Sequence, residues 1–535
     1  MEGLHPQRLR TAASRLLALA VLGGAAFADR VVTVDGRVLA PTKAREHEQG
    51  YRLVFEAGEI IVGKEHVKAV EIEGDMSEYV PQNDDEREKL AQGFVKYQGR
   101  WLSKSAYQDQ LARMHEASKK RTAEIAAHAQ FSNAWTQETK HFQIITNTSP
   151  ELMAYYSDLM ESYYDLMDGR FGIKLSPNMR KMKMPVRIYK SRDEFHQLNQ
   201  AGVGTSVLGY FSPDTKDLNF FHDYQEPGLS TWVALHEGTH LLTHLIDPQY
   251  VAQIWINEAV ADYFGSATVV LDKKGKPAIT PGKLQTDRVL TVQQAIQAGN
   301  DVKLEDLFFI SREGFTGFEY AHAWSFVYFL NETPKYKKGF DKFFEDLYSL
   351  RKGITFEIVP WGGDDSGRGK QVAPAEIRRV LLESLDVEDT KELEREWKDF
   401  VAAVPIEGAE ARFKRGYRAV AYGAMFEGDL DKNRKAALED LDAAIDGGLR
   451  DARAHDARAK LLMMQGDLKA AQKDLETAIA IDPLDASYRH AMGQLMARGR
   501  KSAEVPEALP FFGLAVELEP DNDFYRREYV EFTGS

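Results

Sequence analysis

The chain contains no cysteine among its 535 residues. This absence excludes disulfide bonds, thiol nucleophiles and thiolate zinc sites. It also excludes the lipid-modified cysteine of a bacterial lipoprotein. Any zinc site in this protein must therefore be built from histidine and carboxylate side chains.

An excess of positive charge is also missing. The chain has 68 Lys and Arg against 82 Asp and Glu, which gives a formal net charge of -14. Nucleic acids and anionic membrane surfaces attract basic proteins, so this balance argues against both as partners. We therefore expect no nucleic-acid partner.

Long apolar runs are absent after the first 28 residues, so we expect no later segment to span a membrane. The first 28 residues have the organisation of a secretory signal. Three arginines precede a short apolar run over residues 16–27, and Ala26-Phe27-Ala28 is an A-x-A cleavage site. The apolar run is too short to span a bilayer comfortably, which disfavours an uncleaved anchor. We expect export to the periplasm or the extracellular space, without stable membrane insertion after cleavage of residues 1–28.

His236, Glu237 and His240 form an H-E-x-x-H motif. On a helix the two histidines project from one face and can bind one Zn²⁺, and Glu237 can act as general base on a zinc-bound water. The alternative is a chance match, with two polar residues on an ordinary helix. The flanking residues are apolar nearly all round, which predicts a buried helix whose polar groups need partners. Gly238, in the middle of this helix, costs roughly 1 kcal/mol against Ala and is not explained by helix propensity.

Glu258 follows the motif in the segment Asn257-Glu258-Ala259-Val260-Ala261-Asp262. This order of motifs resembles the gluzincins, which are the thermolysin-like and aminopeptidase-like zinc peptidases. The resemblance implies that Glu258 is the third ligand of one Zn²⁺ per chain. It also implies that Asp262 orients His236.

Two other histidine arrangements are excluded. The zincin pattern with a third histidine fails, because Ile246 stands where that histidine should be and Thr243 where its glycine should be. His244 lies about 12 Å from His236 along a helix axis, which is too far for both to share one metal.

The gluzincin resemblance implies two further features around the metal. A Tyr or His some way after the Glu ligand steadies the oxyanion of the transition state. Tyr320 and His322 both fall in this range, but they lie about 200° apart on a helix, so only one can face the metal. We prefer Tyr320. The strand before the metal helix, residues 218–221, takes the place of a sheet edge where an extended peptide substrate pairs.

Residues 140–350 are similar to a family of exported bacterial proteins of unknown function that carry a peptidase-MA-like domain. Its members share H-E-G-T-H, a W-x-N-E-x-x-A-x-Y-like segment and a helix with Tyr and Trp, often with tetratricopeptide repeats. In this chain Ala259 stands where the family most often has Gly, and that position is not a ligand. The resemblance implies a zinc peptidase fold.

The predicted fold class is α+β. Residues 29–75 alternate apolar and polar side chains, which predicts a small β module, and residues 76–135 predict a helical connector. Residues 136–405 are expected to form a thermolysin-like domain, with a mixed sheet, the H-E-x-x-H helix and a mainly helical second half. Residues 406–535 are Ala-rich, and the spacing over residues 466–483 matches a tetratricopeptide-like helical repeat.

These features predict an exported zinc metallopeptidase that hydrolyses a peptide or protein substrate, with Glu237 as the general base. The alternative is a non-catalytic zinc-containing scaffold that binds a protein partner through its C-terminal repeats. The intact Glu237 favours the peptidase, because a purely structural zinc site needs no general base.

Overall fold

The computed structural model describes residues 29–34, 37–71, 81, 83–97, 100–173, 182–199, 201–204, 207–224, 226–272, 275–361, 367–421, 429–520 and 522–534. The predicted signal sequence, residues 1–28, lies outside the described residues. Within the described ranges, no helix combines the length and the apolar character needed to cross a bilayer.

The strands, in chain order, are β1 (Arg30–Thr33), β2 (Val38–Leu39), β3 (Lys43–His47), β4 (Gly50–Val54), β5 (Glu59–Val62), β6 (Val67–Glu71), β7 (Phe94–Tyr97), β8 (Arg100–Ser103), β9 (Trp135–Glu138), β10 (Phe142–Thr146), β11 (Met184–Tyr189), β12 (Gly209–Ser212), β13 (Asp217–Phe221), β14 (Tyr250–Val251), β15 (Ala267–Leu271), β16 (Pro277–Pro281), β17 (Glu357–Trp361) and β18 (Gly367–Gln371). The helices are α1 (Asp84–Ala91), α2 (Lys104–Ala127), α3 (Pro150–Phe171), α4 (Arg192–Leu198), α5 (Pro227–His244), α6 (Ile254–Gly265), α7 (Thr286–Ala298), α8 (Leu304–Phe309), α9 (Gly317–Glu332), α10 (Pro334–Tyr348), α11 (Pro374–Leu385), α12 (Thr390–Ala403), α13 (Ala409–Ala421), α14 (Leu430–Asp446), α15 (Ala452–Gln465), α16 (Leu468–Ile481), α17 (Ala486–Ala497), α18 (Leu509–Leu518) and α19 (Asp523–Thr533). This mixture, with a helical C-terminal half, confirms the α+β class.

The chain divides into two compact units. One unit combines residues up to 127 with residues 450–535, and the other is residues 128–449. The interval predicted as catalytic, 136–405, lies within the second unit. The interval predicted as repeats, 406–535, contributes α13 and α14 to the second unit and α15 to α19 to the first.

In the first unit, the small β sheets share a hydrophobic core with the last helices of the chain. The sheets have the strand orders β2-β1-β6 and β3-β4-β5. Small sheets gain stability by packing a hydrophobic face against helices. Their inner side chains pack against α17 and α18 and the residues beside them, and the members of this core include Val31, Leu53, Ile60, Leu484, Leu514 and Leu518.

The second unit is built on a five-stranded sheet with the order β12-β13-β11-β10-β9. Strands β10, β11 and β13 run parallel, and β9 and β12 pair antiparallel at the two edges. Strands β12 and β13 form an antiparallel hairpin. The predicted edge at residues 218–221 is wrong, because β13 lies between β11 and β12 and all five of its residues are buried. A continuous buried run is typical of an internal strand.

Helix α5 packs on this sheet, on α6 and on α3, and a glycine permits close packing at each of the two helix contacts. A Cβ at Gly265, the last residue of α6, would lie 3.1 Å from the Cβ of His236 on α5. A Cβ at Gly238 would lie 3.3 Å from side-chain atoms of Met160 and Tyr163 on α3. Close packing by α3 therefore accounts for a glycine that helix propensity does not explain.

The helical part of the second unit has an aromatic core. Trp255 on α6, Trp324 on α9 and Trp397 on α12 are fully buried. The indole N–H of Trp397 donates a hydrogen bond to Ser325 Oγ at 3.1 Å, which joins α12 to α9. Helix α9 begins with a capping box between Thr316 and Glu319, and it packs against α6. This contact brings the first turn of α9 to the Glu258 face of α6.

The glycine contact between α5 and α6 can be tested by adding one methyl group. Gly265→Ala should lower the free energy of unfolding by about 1–3 kcal/mol, because the packed backbone of α5 cannot move away from the added methyl group. Gly169→Ala is the matched control, because Gly169 lies on the exposed face of α3 with nothing within 4 Å of its added Cβ. The control should raise stability by about 0.5–1 kcal/mol through helix propensity. Urea unfolding measures both, and equal stability of Gly265→Ala and wild type would contradict the close approach.

Candidate metal centre

Two helices carry the charged groups of the site. Helix α5 presents His236 and His240 one turn apart, with Glu237 between them, and α6 presents Glu258 and Asp262 one turn apart. Because residues four apart lie on the same helix face, the packing of α5 on α6 brings all of these groups together.

The three predicted ligands converge on one point. The Nε2 atoms of His236 and His240 are 3.3 Å apart. Glu258 Oε2 lies 3.6 Å from the first of these atoms and 3.7 Å from the second. Ligand atoms bound about 2.0–2.1 Å from a tetrahedral zinc lie about 3.4 Å apart. The three side chains therefore match one face of a zinc coordination tetrahedron and could hold a metal ion.

The charges around His236 favour a cation at this point. Burial alone would lower the pKa of His236, but the carboxylates of Asp262 and Glu258 raise it to about 10. Burial would raise the pKa of Glu258, yet the two imidazoles hold it well below its usual range. The carboxylates around the two imidazoles therefore favour positive charge at this point, which a bound divalent metal would supply.

Asp262 lies behind His236, at the position predicted for the orienting carboxylate. Its Oδ1 is 3.2 Å from His236 Nδ1, and its side chain is 1% exposed. The two atoms are close without the alignment of an ideal hydrogen bond, so the contact is best described as an ion pair. Contacts of this kind fix the ring orientation of a metal-binding histidine.

Glu237 faces the edge strand of the sheet. Its Oε2 accepts a hydrogen bond of 2.9 Å from the backbone N–H of Phe211 on β12. Burial raises the pKa of the Glu237 carboxyl, and the imidazoles of His236 and His240 oppose this rise. The carboxylate is therefore positioned beside the three ligands without being one of them.

Of the two candidates for oxyanion stabilisation, Tyr320 is beside the ligands and His322 is not. Burial raises the pKa of the Tyr320 phenol, and the neighbouring carboxylates of Glu258 and Asp262 raise it further. His322 is fully buried, and its Nδ1 lies 2.8 Å from the carbonyl oxygen of Phe318. The electrostatic influence of Glu258 and Asp262 on the phenol thus favours Tyr320 over His322.

His244, excluded as a ligand by its distance along the helix, stands apart from the three ligands. Its ring centroid lies 5.3 Å from that of Phe211. Burial lowers the pKa of His244 to about 4, so the ring is neutral at pH 7. His244 offers a matched control for the ligand histidines of the same helix.

Two side chains at the site were missed by the sequence analysis. Arg288 on α7 places Nη2 2.6 Å from Asp262 Oδ2. No motif marks it, because its contact with Asp262 joins two separate helices. The Trp232 ring lies 4.8 Å from the His236 ring, one turn earlier on α5. That four-residue spacing was a signal the sequence analysis could have used.

Comparison with models of known protein families found no match for this chain, and comparison with curated proteins found none either.

Proposed function

We propose that this protein is an exported, zinc-dependent metallopeptidase of the gluzincin type. The observation that carries the proposal is the convergence of two imidazole nitrogens and one carboxylate oxygen, 3.3 to 3.7 Å apart, beside a carboxylate that is not a ligand. His236, His240 and Glu258 would hold one Zn²⁺. When bound, zinc polarises the scissile carbonyl and lowers the pKa of a bound water to about 7.

The chain's own residues supply the remaining parts of peptide hydrolysis. Glu237 takes the proton of the attacking water and is held in place by the Phe211 N–H. Asp262 fixes the ring of His236. Tyr320 donates a hydrogen bond to the oxyanion of the transition state, which its raised pKa supports because the phenol keeps its proton. Preorganised donors of this kind stabilise charge that develops in the transition state.

A set of two histidines and one carboxylate also binds iron in non-haem oxygenases. The position of Glu237 favours hydrolysis, because a carboxylate next to the ligands serves to activate water. The thermolysin-like fold of the second unit and the tetratricopeptide type of the C-terminal helices are parts of the same proposal. The helix pairs α15–α16 and α17–α18 support the repeat assignment.

Metal binding is tested by removing one ligand. We expect wild-type protein to bind one zinc per chain and His240→Ala to lose it, because two ligands cannot hold zinc against a chelator. His244→Ala, on the same helix but outside the ligand set, should keep the metal. Elemental analysis for zinc and iron after dialysis gives the measurement. Wild-type protein without metal, or with iron alone, would refute the zinc assignment.

The role of Glu237 is tested by Glu237→Gln, which keeps the size of the side chain but cannot take a proton. The variant should bind zinc as tightly as wild type and lose peptide hydrolysis by about 10²–10⁴-fold. A digest of a broad peptide library by zinc-loaded protein provides the assay. Equal rates for the two proteins would remove Glu237 from the mechanism, and a wild type without hydrolysis would favour the scaffold alternative.

A further inference from the structure

Arg288 lies between two residues of the site that belong to different helices. Its Nη2 is 2.6 Å from Asp262 Oδ2 on α6. Its guanidinium carbon lies 5.6 Å from the centre of the Tyr320 ring on α9. One side chain on α7 therefore contacts both the carboxylate behind His236 and the phenol beside Glu258.

The guanidinium is held in a defined orientation. Its Nε donates a hydrogen bond of 2.9 Å to Gln285 Oε1, and Gln285 in turn donates to Ser266 Oγ at the end of α6. The Arg288 side chain is 18% exposed, so most of it is desolvated. A planar guanidinium held on three sides can pair with a carboxylate and pack on an aromatic face at once, which an ammonium group does less well.

The charge of Arg288 also matters for the site. Three carboxylates lie there, from Glu237, Glu258 and Asp262. A divalent metal would supply two positive charges against these three negative charges, and the Arg288 guanidinium supplies a third positive charge. Asp262 is almost fully buried, and a buried carboxylate without full charge compensation is costly.

We propose that Arg288 is a positioning residue that holds Asp262 against His236 and Tyr320 against the metal-facing side of the site. The Asp262 part needs only metal binding. The consequence for catalysis rests on the proposed peptidase function. Arg288 acts through these two neighbours and is not itself a ligand.

The Asp262 contact is tested by zinc affinity, measured by competition with a chelator. Arg288→Met should weaken zinc binding by about 10–100-fold, the usual loss when an outer partner of a metal ligand is removed. When Arg288→Met is combined with Asp262→Asn, the fold-loss in zinc affinity should be much less than the product of the two single fold-losses. The reason is that both changes break the same contact. Arg288→Lys keeps the charge and should recover part of the affinity, whereas Arg288→Gln should not. Arg378→Met is the matched control, because its ion pair joins α11 to α8 through Glu305, and zinc affinity should not change.

The Tyr320 contact is tested without any assay of activity. Arg288→Met and Tyr320→Leu should each lower the Tm of zinc-loaded protein. The decrease in Tm of the double variant should be smaller than the sum of the two single decreases. If the protein hydrolyses peptides, zinc-saturated Arg288→Met should also show a lower kcat with a smaller change in KM. A general loss of folding would lower the amount of active protein and leave KM and zinc affinity per folded chain unchanged.

The outcomes separate this inference from the proposed function. Unchanged zinc affinity in Arg288→Met, or full additivity with both Asp262→Asn and Tyr320→Leu, overturns the positioning role. If Arg288→Met fails to fold, Arg288→Gln and Arg288→Lys give the same comparison with a polar group retained. Equal zinc affinity in those two variants would then overturn the positioning role of Arg288. Wild-type protein that binds zinc and cleaves no peptide overturns the peptidase proposal while the zinc and Tm measurements still decide the role of Arg288.

Discussion

The close contact of α5 with α6 is the constraint on which the candidate site depends. Neither helix carries a complete set of ligands, because His236 and His240 lie on one and Glu258 on the other. Gly265 lets the backbone of α6 approach His236 to a distance that a side chain would prevent. The remaining elements support this contact, since α3 packs on Gly238, the sheet supports α5, and α9 supports α6.

The same contact buries carboxylate groups, and the surrounding residues compensate their negative charge. Glu258 and Asp262 enter an apolar, aromatic region where an uncompensated carboxylate is costly. Compensation comes from both sides, with the imidazoles in front and Arg288 behind. At one point, between the two Nε2 atoms and Glu258 Oε2, a cation would interact favourably with all three groups. Under the proposed function, this buried charge would create the affinity for the metal.

Short-range spacing made much of the site predictable, and long-range packing made the rest unpredictable. His236 and His240 follow from the four-residue spacing of the H-E-x-x-H motif. The roles of Glu258 and Asp262 were implied by the gluzincin resemblance, and the structure brings all four residues together. Arg288 carries no such signal, because its contact with Asp262 joins two separate helices. The edge strand was misassigned, since an apolar run does not reveal whether β12 or β13 lies outermost. The shared core of the N-terminal strands and the last helices joins residues hundreds of positions apart, which no local pattern encodes.

The most direct test of the account is anomalous X-ray diffraction from crystals of zinc-loaded protein, measured above and below the zinc edge. The account predicts one strong anomalous peak per chain, about 2.0–2.2 Å from the Nε2 atoms of His236 and His240 and from a carboxylate oxygen of Glu258. It also predicts that Glu237 stays outside bonding distance of the metal. A peak elsewhere in the chain, or no peak between these three residues at full zinc loading, would contradict the central claim.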